Sequence, residues 1–273
     1  MHGNNFSNDI SEYIHRSLAQ NEFELYYQPQ LDLRTNKITG LEALLRWNNP
    51  KLGITPSQEI IRAAEKNDLI IPLGFWIFEN ACLFLKKLHQ EIKPDLTMSI
   101  NISILQLLEP GFDNYVIDTL IRLEIEPEYI ILELTETTFI ESLDLIKEVL
   151  ENLHESGIKI ALDDFGKGYS SLNYLVHLPI SILKIDKIFV DEIPNSVNHN
   201  AIIHHIIAIG KSLELIIIVE GVERRNQFDF LLKSGCHKIQ GYIFSKPLPA
   251  IEIINLLKNY SFTLSLDADL FVQ

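Results

Sequence analysis

Only two cysteines occur in the 273 residues, Cys82 and Cys236. They lie far apart with no CxxC or Cys/His ligand spacing, which argues against a disulfide framework and a zinc site. Both read as reduced core thiols. Basic residues are also scarce: 23 lysines and arginines against 37 acids leave a formal charge of −14. Such a chain repels a polyanion held through its backbone, so binding of a nucleic-acid polymer is disfavoured. A small phosphorylated ligand remains compatible, because bound cations invert the field locally. No apolar run is long enough to span a membrane. The most apolar stretch, residues 69–85, is broken by Glu79 and Asn80 and falls short of the ~20 residues required, so it reads as a buried helix. The first ten residues lack the basic start and apolar core of a secretory signal, and a cytoplasmic protein is expected. Gly/Ser linkers and low-complexity tracts are missing as well.

What is present is an alternation of short β-rich runs and longer amphipathic stretches. Strands are expected at 23–33, 38–47, 97–102, 129–134, 158–162, 182–185, 215–219 and 238–239. Helical patterns occupy 75–90, 112–123, 143–154, 200–213 and 225–233. The polar connection Arg34-Thr35-Asn36-Lys37 between the first two strands suggests an antiparallel opening pair; the later strands look parallel. Right-handed crossovers would close such a series into a barrel or lay it out as an open sheet. The absence of a Gly-rich fingerprint after the first strand, with polar residues recurring at strand ends, favours the barrel. The expected division is a short N-terminal extension at 1–17, the barrel at 18–260 and a C-terminal tail at 261–273.

The strand ends carry Glu42, Asn101, Glu133, the pair Asp163-Asp164, Lys184, Glu220 and Gln240. Any one of these acids alone would read as a solvated carboxylate or a helix cap. Together they converge on one rim if the barrel closes. Several are flanked by apolar residues, as in Ile131-Leu132-Glu133-Leu134, and so face a partly enclosed mouth. Two carboxylates ~4 Å apart repel by ~4 kcal/mol at an effective dielectric of 20. A cluster of them therefore takes up protons or calls for cations. Oxygen-only ligation, without cysteine or a strand-end histidine, points to Mg²⁺ or Mn²⁺. Adjacent Asp163 and Asp164 suit two ions, which together can activate a water and clamp the oxygens of a phosphoryl group. Lys184 would neutralise charge on the attacking hydroxide or the phosphate, and Gln240 could orient the water. The glycine- and serine-rich stretch 164–171 reads as a mobile loop beside the site.

These residues give the chain its resemblance to a family. Tyr27-Gln28-Pro29-Gln30, Gly40-Leu41-Glu42-Ala43-Leu44-Leu45-Arg46-Trp47, Asn101-Ile102-Ser103, Glu133-Leu134-Thr135-Glu136, Asp163-Asp164-Phe165-Gly166, Lys184-Ile185-Asp186, Glu220-Gly221-Val222-Glu223 and Gln240-Gly241-Tyr242 occur in order. Over residues 18–250 the chain resembles the EAL-domain cyclic di-GMP phosphodiesterases. The resemblance implies an α/β fold, a modified (β/α)8 TIM-type barrel with an antiparallel opening strand pair. It implies hydrolysis of cyclic di-GMP to linear pGpG with two Mg²⁺ or Mn²⁺ ions per site, and a homodimer. On the same basis Glu42, Asn101, Glu133, Asp163, Asp164 and Glu220 would hold metal, and Lys184, Glu220 and Gln240 would act in catalysis. Gln28, Leu44, Arg46, Asp186 and Glu223 would meet the nucleotide, and Glu136 would tether the glycine-serine loop.

The chain also departs from the family pattern. Ile60-Ile61-Arg62 stands where Phe-Ile-Pro is usual, with an extra residue after Pro56, and Asp68 replaces a common glycine. Lys167 and Arg224 stand where smaller residues are usual. No expected metal ligand is missing. A catalytically silent receptor for the dinucleotide or for a protein partner is the alternative function. His204-His205 sits within an apolar helical pattern and reads as structural, and Phe23, Tyr26 and Tyr27 as barrel packing.

Overall fold

The polar tetrapeptide after the first strand forms the expected turn. The Asp32 carboxylate accepts from the backbone N–H groups of Arg34 and Thr35 at 2.8 and 3.2 Å, and Asn36 takes the left-handed conformation that asparagine tolerates. Strands β1 (Phe23–Asp32) and β2 (Lys37–Asn49) therefore pair antiparallel, from Phe23 opposite Trp47 to Asp32 opposite Lys37. A computed structural model of the chain describes residues 3–20, 22–49, 53–166, 175 and 177–260, with the backbone alone for 3–11, 54 and 137–144.

From β2 the sheet continues in parallel through β4 (Thr97–Asn101), β5 (Ile130–Thr135), β6 (Lys159–Phe165), β7 (Ile180–Ile185), β8 (Ile216–Val219) and β9 (Lys238–Ile239). Strand β9 then pairs antiparallel with β1, Ile239 opposite Leu31, which closes an eight-stranded mixed barrel. Two-residue strands β3 (Gly53–Ile54) and β10 (Leu248–Pro249) extend its margins.

Helices clothe the barrel: α1 (Gly3–Gln20), α2 (Ser57–Lys66), α3 (Ile70–Glu91), α4 (Ile104–Leu107), α5 (Phe112–Leu123), α6 (Glu136–Glu155), α7 (Lys187–Val190), α8 (Val197–Ser212), α9 (Arg225–Lys233) and α10 (Ala250–Asn259). Among the described residues none is long and apolar enough to cross a membrane. The apolar stretch 69–85 is the greater part of α3, whose Leu73, Ala81, Cys82, Leu85 and Leu88 are fully buried at helical spacing. Helix α6 begins seven residues before the helical pattern anticipated at 143, because Thr137 and Thr138 disguise its first turn. Phe23 packs on Trp47 and Trp76, and Tyr27 on Phe84. Helix α1 seats Ile14 in the core, and its Ser17 hydroxyl accepts from the Trp47 indole at 3.1 Å. His204 and His205 are exposed on α8. Residues 167–174, which include most of the expected loop, and the tail 261–273 lie outside the described residues.

At the end of the barrel where β9 begins, Lys238 is buried opposite Asp32. Burial lowers its pKa from the usual 10.5 to about 8, against the pull of Asp32. Asp32 has its own partner in Arg34, 2.7 Å away. The unfolded chain therefore binds more protons than the folded one between pH 8 and 10.5, and the Lys238 contribution to stability rises with pH across that window. Lys238→Met is expected to be more stable than the parent at pH 7 by up to about 3 kcal/mol, with the gain shrinking as pH climbs toward 10.5. Urea unfolding at both pH values checks this; an advantage that does not change with pH would refute the assignment.

Candidate active site

Side chains two apart on a strand share a face. Ile131, Ala161, Ile182 and Ile218, on four successive strands, form a small buried cluster of their own. Two residues further along each strand come Glu133, Asp163, Lys184 and Glu220. The charged groups therefore stand as a ring on an apolar plug that fills the barrel beneath them, and the plug keeps water away from their lower side.

Lys184 is the hub of the ring and is fully buried. Its Nζ donates to Glu133 Oε2 at 2.6 Å and meets Glu220 Oε1 at 2.7 Å. Glu42 Oε2 and Asp163 Oδ1 each stand 3.5 Å away. Burial alone would discharge this ammonium, but Asp163, Glu133, Glu220 and Glu42 outweigh it and hold the pKa well above the usual value. One ammonium cannot serve four carboxylates equally. Burial pushes Glu133 well up, and Glu42, Asp163 and Glu220 add to this against the opposing pull of Lys184. Asp163 is raised, chiefly by burial. Burial likewise lifts Glu220 to about 8, with Lys184 opposing. Glu42 alone is lowered: burial works against it, but Lys184 and the amides of Gln240 and Asn101 prevail.

The other half of the rim is built of amides. Asn101 Nδ2 donates to Glu42 Oε1 at 2.9 Å. Gln240 Nε2 donates to Glu42 Oε2 and, at 3.1 Å, to Gln28 Oε1. Gln240 Oε1 accepts from Gln30 Nε2 at 3.1 Å, which leaves one lone pair of that oxygen for a water. Gln28 Nε2 reaches the Ser245 carbonyl at 3.1 Å. Gln30, fully buried, is a residue the strand-end reading passes over because it lies on β1, which runs against the other strands of the barrel. Its signal in the sequence is an amide where a barrel interior would otherwise be apolar. Gly40 makes room for it: a Cβ there would stand 2.6 Å from Gln30 Oε1.

Asp163 and Asp164 both line the same cavity. Consecutive residues of a regular strand face opposite ways, so the pair requires a break. Asp164 takes φ +57°, and the β6–β7 register shifts between Leu162 and Phe165. The Asp164 N–H, turned inward, donates to Asp163 Oδ1 at 2.8 Å. Glu136, at the start of α6, accepts from Gly166 N at 3.1 Å and so holds the beginning of the loop.

The cavity has a volume of about 450 Å³ and is lined by Glu42, Leu44, Asn101, Glu133, Asp163 and Asp164, with helix α2 on its far wall. Of the expected nucleotide contacts Leu44 lines it; Gln28 stays among the amides of the rim, and the other three sit elsewhere. Arg46 lies over the Tyr26 ring, 5.5 Å from its centroid, and donates to the Leu45 carbonyl at 2.8 Å. Asp186 caps α7, its carboxylate accepting from Ile188 N at 2.9 Å. Glu223 accepts from Lys187 Nζ at 2.5 Å on the exposed rim. Glu65, on α2, accepts from the Ser103 hydroxyl at 2.6 Å.

The donor set is all oxygen, as hard divalent cations prefer. Among the described residues no three Asp, Glu, His or Cys side chains already surround a single point as ligands of an ion would; the point between the four carboxylates holds Lys184 Nζ. Glu133 Oε1, however, is buried without a hydrogen-bond partner. An acceptor in that condition, beside carboxylates that outnumber their ammonium, fits a cation on the cavity side.

Comparison with known proteins follows the same residues. The family model for the EAL domain matches residues 11–247. The bifunctional diguanylate cyclase/cyclic di-GMP phosphodiesterase MucR of Pseudomonas aeruginosa is 36% identical over 241 residues, covering 88% of this chain and 35% of MucR. The cyclic di-GMP phosphodiesterase NbdA of the same organism is 35% identical over 253 residues, covering 93% of this chain and 32% of NbdA. The chain thus spans about a third of the length of these curated relatives. A solved structure of the PaMucR phosphodiesterase in complex with c-di-GMP superposes with a TM-score of 0.85 at 36% identity, over 90% of this chain and 99% of that one.

Proposed function

The chain belongs to the EAL domain family, and from that premise we propose that it is a divalent-metal-dependent phosphodiesterase that opens cyclic di-GMP to linear pGpG. The observation that carries the reading is the buried ring of Glu42, Glu133, Asp163 and Glu220 around Lys184, three of whose acids, Glu42, Glu133 and Asp163, line a cavity of about 450 Å³, with the Glu133 Oε1 acceptor unpartnered.

In the reaction, water adds to one phosphorus and one P–O bond to a ribose oxygen breaks, leaving a phosphomonoester and a hydroxyl. Glu42, Asn101, Glu133, Asp163, Asp164 and Glu220 would hold two Mg²⁺ or Mn²⁺ ions, which supply Lewis acidity toward water and the phosphoryl oxygens. Lys184 keeps its charge under these conditions and stabilises the anion that develops as water adds. Glu220, which meets Lys184 Nζ at 2.7 Å, would be ionised while it holds an ion and so helps keep that ammonium in place. Gln240 offers its remaining Oε1 lone pair to the water while it fixes Glu42. Gln28 and Leu44 border the nucleotide from β1 and β2.

Incubation of the chain with cyclic di-GMP and Mg²⁺ or Mn²⁺, followed by chromatography, is expected to give pGpG, with none formed in chelator. A folded chain that yields no linear product with either metal refutes the proposal. Tight binding without cleavage would select the receptor reading instead.

A further inference from the structure

Helix α2 turns Gln58, Ile61, Arg62 and Glu65 toward the cavity, a spacing that places them on one helical face. Arg62 is the only basic residue among those lining the cavity. Among the described residues its guanidinium has no hydrogen bond and no ion pair. Glu65, one turn further on, is engaged with Ser103. The arginine expected at the nucleotide, Arg46, is engaged with Tyr26 and with its own backbone.

The cavity has two chemically distinct parts. The strand ends are acidic and suit a phosphate bridged by cations. The opposite wall joins Ile61 and the polar Gln58, Arg62 and Glu65 of α2 to the aliphatic Ile70 and Ile77 of α3 and Ile104 of α4. Isoleucines beside a single guanidinium and the Glu65 carboxylate suit a base better than a second phosphate, and a guanidinium fork matches the O6 and N7 acceptors of guanine with two parallel N–H bonds. We propose that Arg62 reads the O6/N7 edge of one guanine of the substrate and sets the preference of this site for guanine over adenine. The inference rests on the proposed function, since it takes a cyclic dinucleotide as the ligand.

Titration calorimetry on the full chain in chelator, with cyclic di-GMP and with cyclic di-AMP, tests it independently of turnover. Cyclic di-AMP carries an amino group where guanine has O6. The wild type is expected to prefer cyclic di-GMP, and Arg62→Ala to bind it about 10- to 100-fold more weakly, with a much smaller change for cyclic di-AMP. Arg62→Lys keeps the charge and loses the fork, so it is expected not to restore the preference. Arg62 is exposed, and matching thermal melts establish that both variants fold. Equal losses for the two dinucleotides, or full rescue by lysine, would place the guanidinium on a phosphate and overturn the proposal. Unchanged binding by Arg62→Ala overturns it while leaving the proposed function standing. A wild type that binds neither dinucleotide in chelator and forms no pGpG with Mg²⁺ or Mn²⁺ overturns both.

Discussion

Lys184→Met is expected to cost the fold about 3–5 kcal/mol in the presence of chelator, the loss that follows when a buried ion pair is left with one partner. Lys184 is fully buried and is the one ammonium within 3.5 Å of Glu42, Glu133, Asp163 and Glu220 among the described residues. Methionine fills a similar volume, so packing changes little and the electrostatic effect dominates. Without the ammonium, the carboxylates must take up protons or recruit cations. Millimolar Mn²⁺ is therefore expected to recover much of the lost stability in the variant and to raise the parent by less, since binding to the folded state alone stabilises it. Urea unfolding of both proteins, with Mn²⁺ and with chelator, measures this. A variant as stable as the parent in chelator would show that Lys184 is not the counter-ion of the ring. Turnover should also fall, by roughly 10²-fold or more, because the charge that meets the developing anion is gone.

Glu42→Ala is expected to lower pGpG formation by roughly 10²- to 10³-fold and to leave the fold largely intact. Glu42 is the one acid of the ring whose pKa is held low, by Lys184 and the two amides against its burial. Of the four acids it is thus the one whose ionised form the surroundings favour. Its two oxygens also anchor Asn101 Nδ2 and Gln240 Nε2, so its removal frees both amides at once. The exposed position of Asn101 lets water replace one of those bonds, which limits the cost in stability. Initial rates with Mn²⁺, set beside a thermal melt, separate the two effects. Retention of a tenth or more of the parent's rate would remove Glu42 from the catalytic set.

The alternation of β-rich and amphipathic segments indicates an α/β chain, and the polar tetrapeptide 34–37 indicates the antiparallel opening, because a short polar turn cannot support a parallel crossover. Helices α2, α4 and α7 are less legible. Two are a single turn long, and α2 mixes polar residues into its buried face where it borders the cavity. Strand-end polarity points to Glu133, Asp163, Lys184 and Glu220 because inward-facing positions recur every second residue on each strand; Glu42, also expected at a strand end, lies in the middle of β2, which runs on past the rim to Asn49. Gln30 escapes that logic, since β1 runs against the other strands, and it is explained by Gln240 arriving from the far end of the chain.

The linear sequence by itself determined which strands carry inward charge and at what height, since the two-residue repeat of a strand is a local property of its backbone. Closure of the barrel decided the rest. It placed one lysine among carboxylates up to 142 residues away in the chain, and it turned Asp164 inward beside Asp163 through a left-handed residue. It laid Arg46 on Tyr26 and left Arg62 to face the cavity. Those outcomes depend on distances between segments remote in sequence, which no local periodicity encodes.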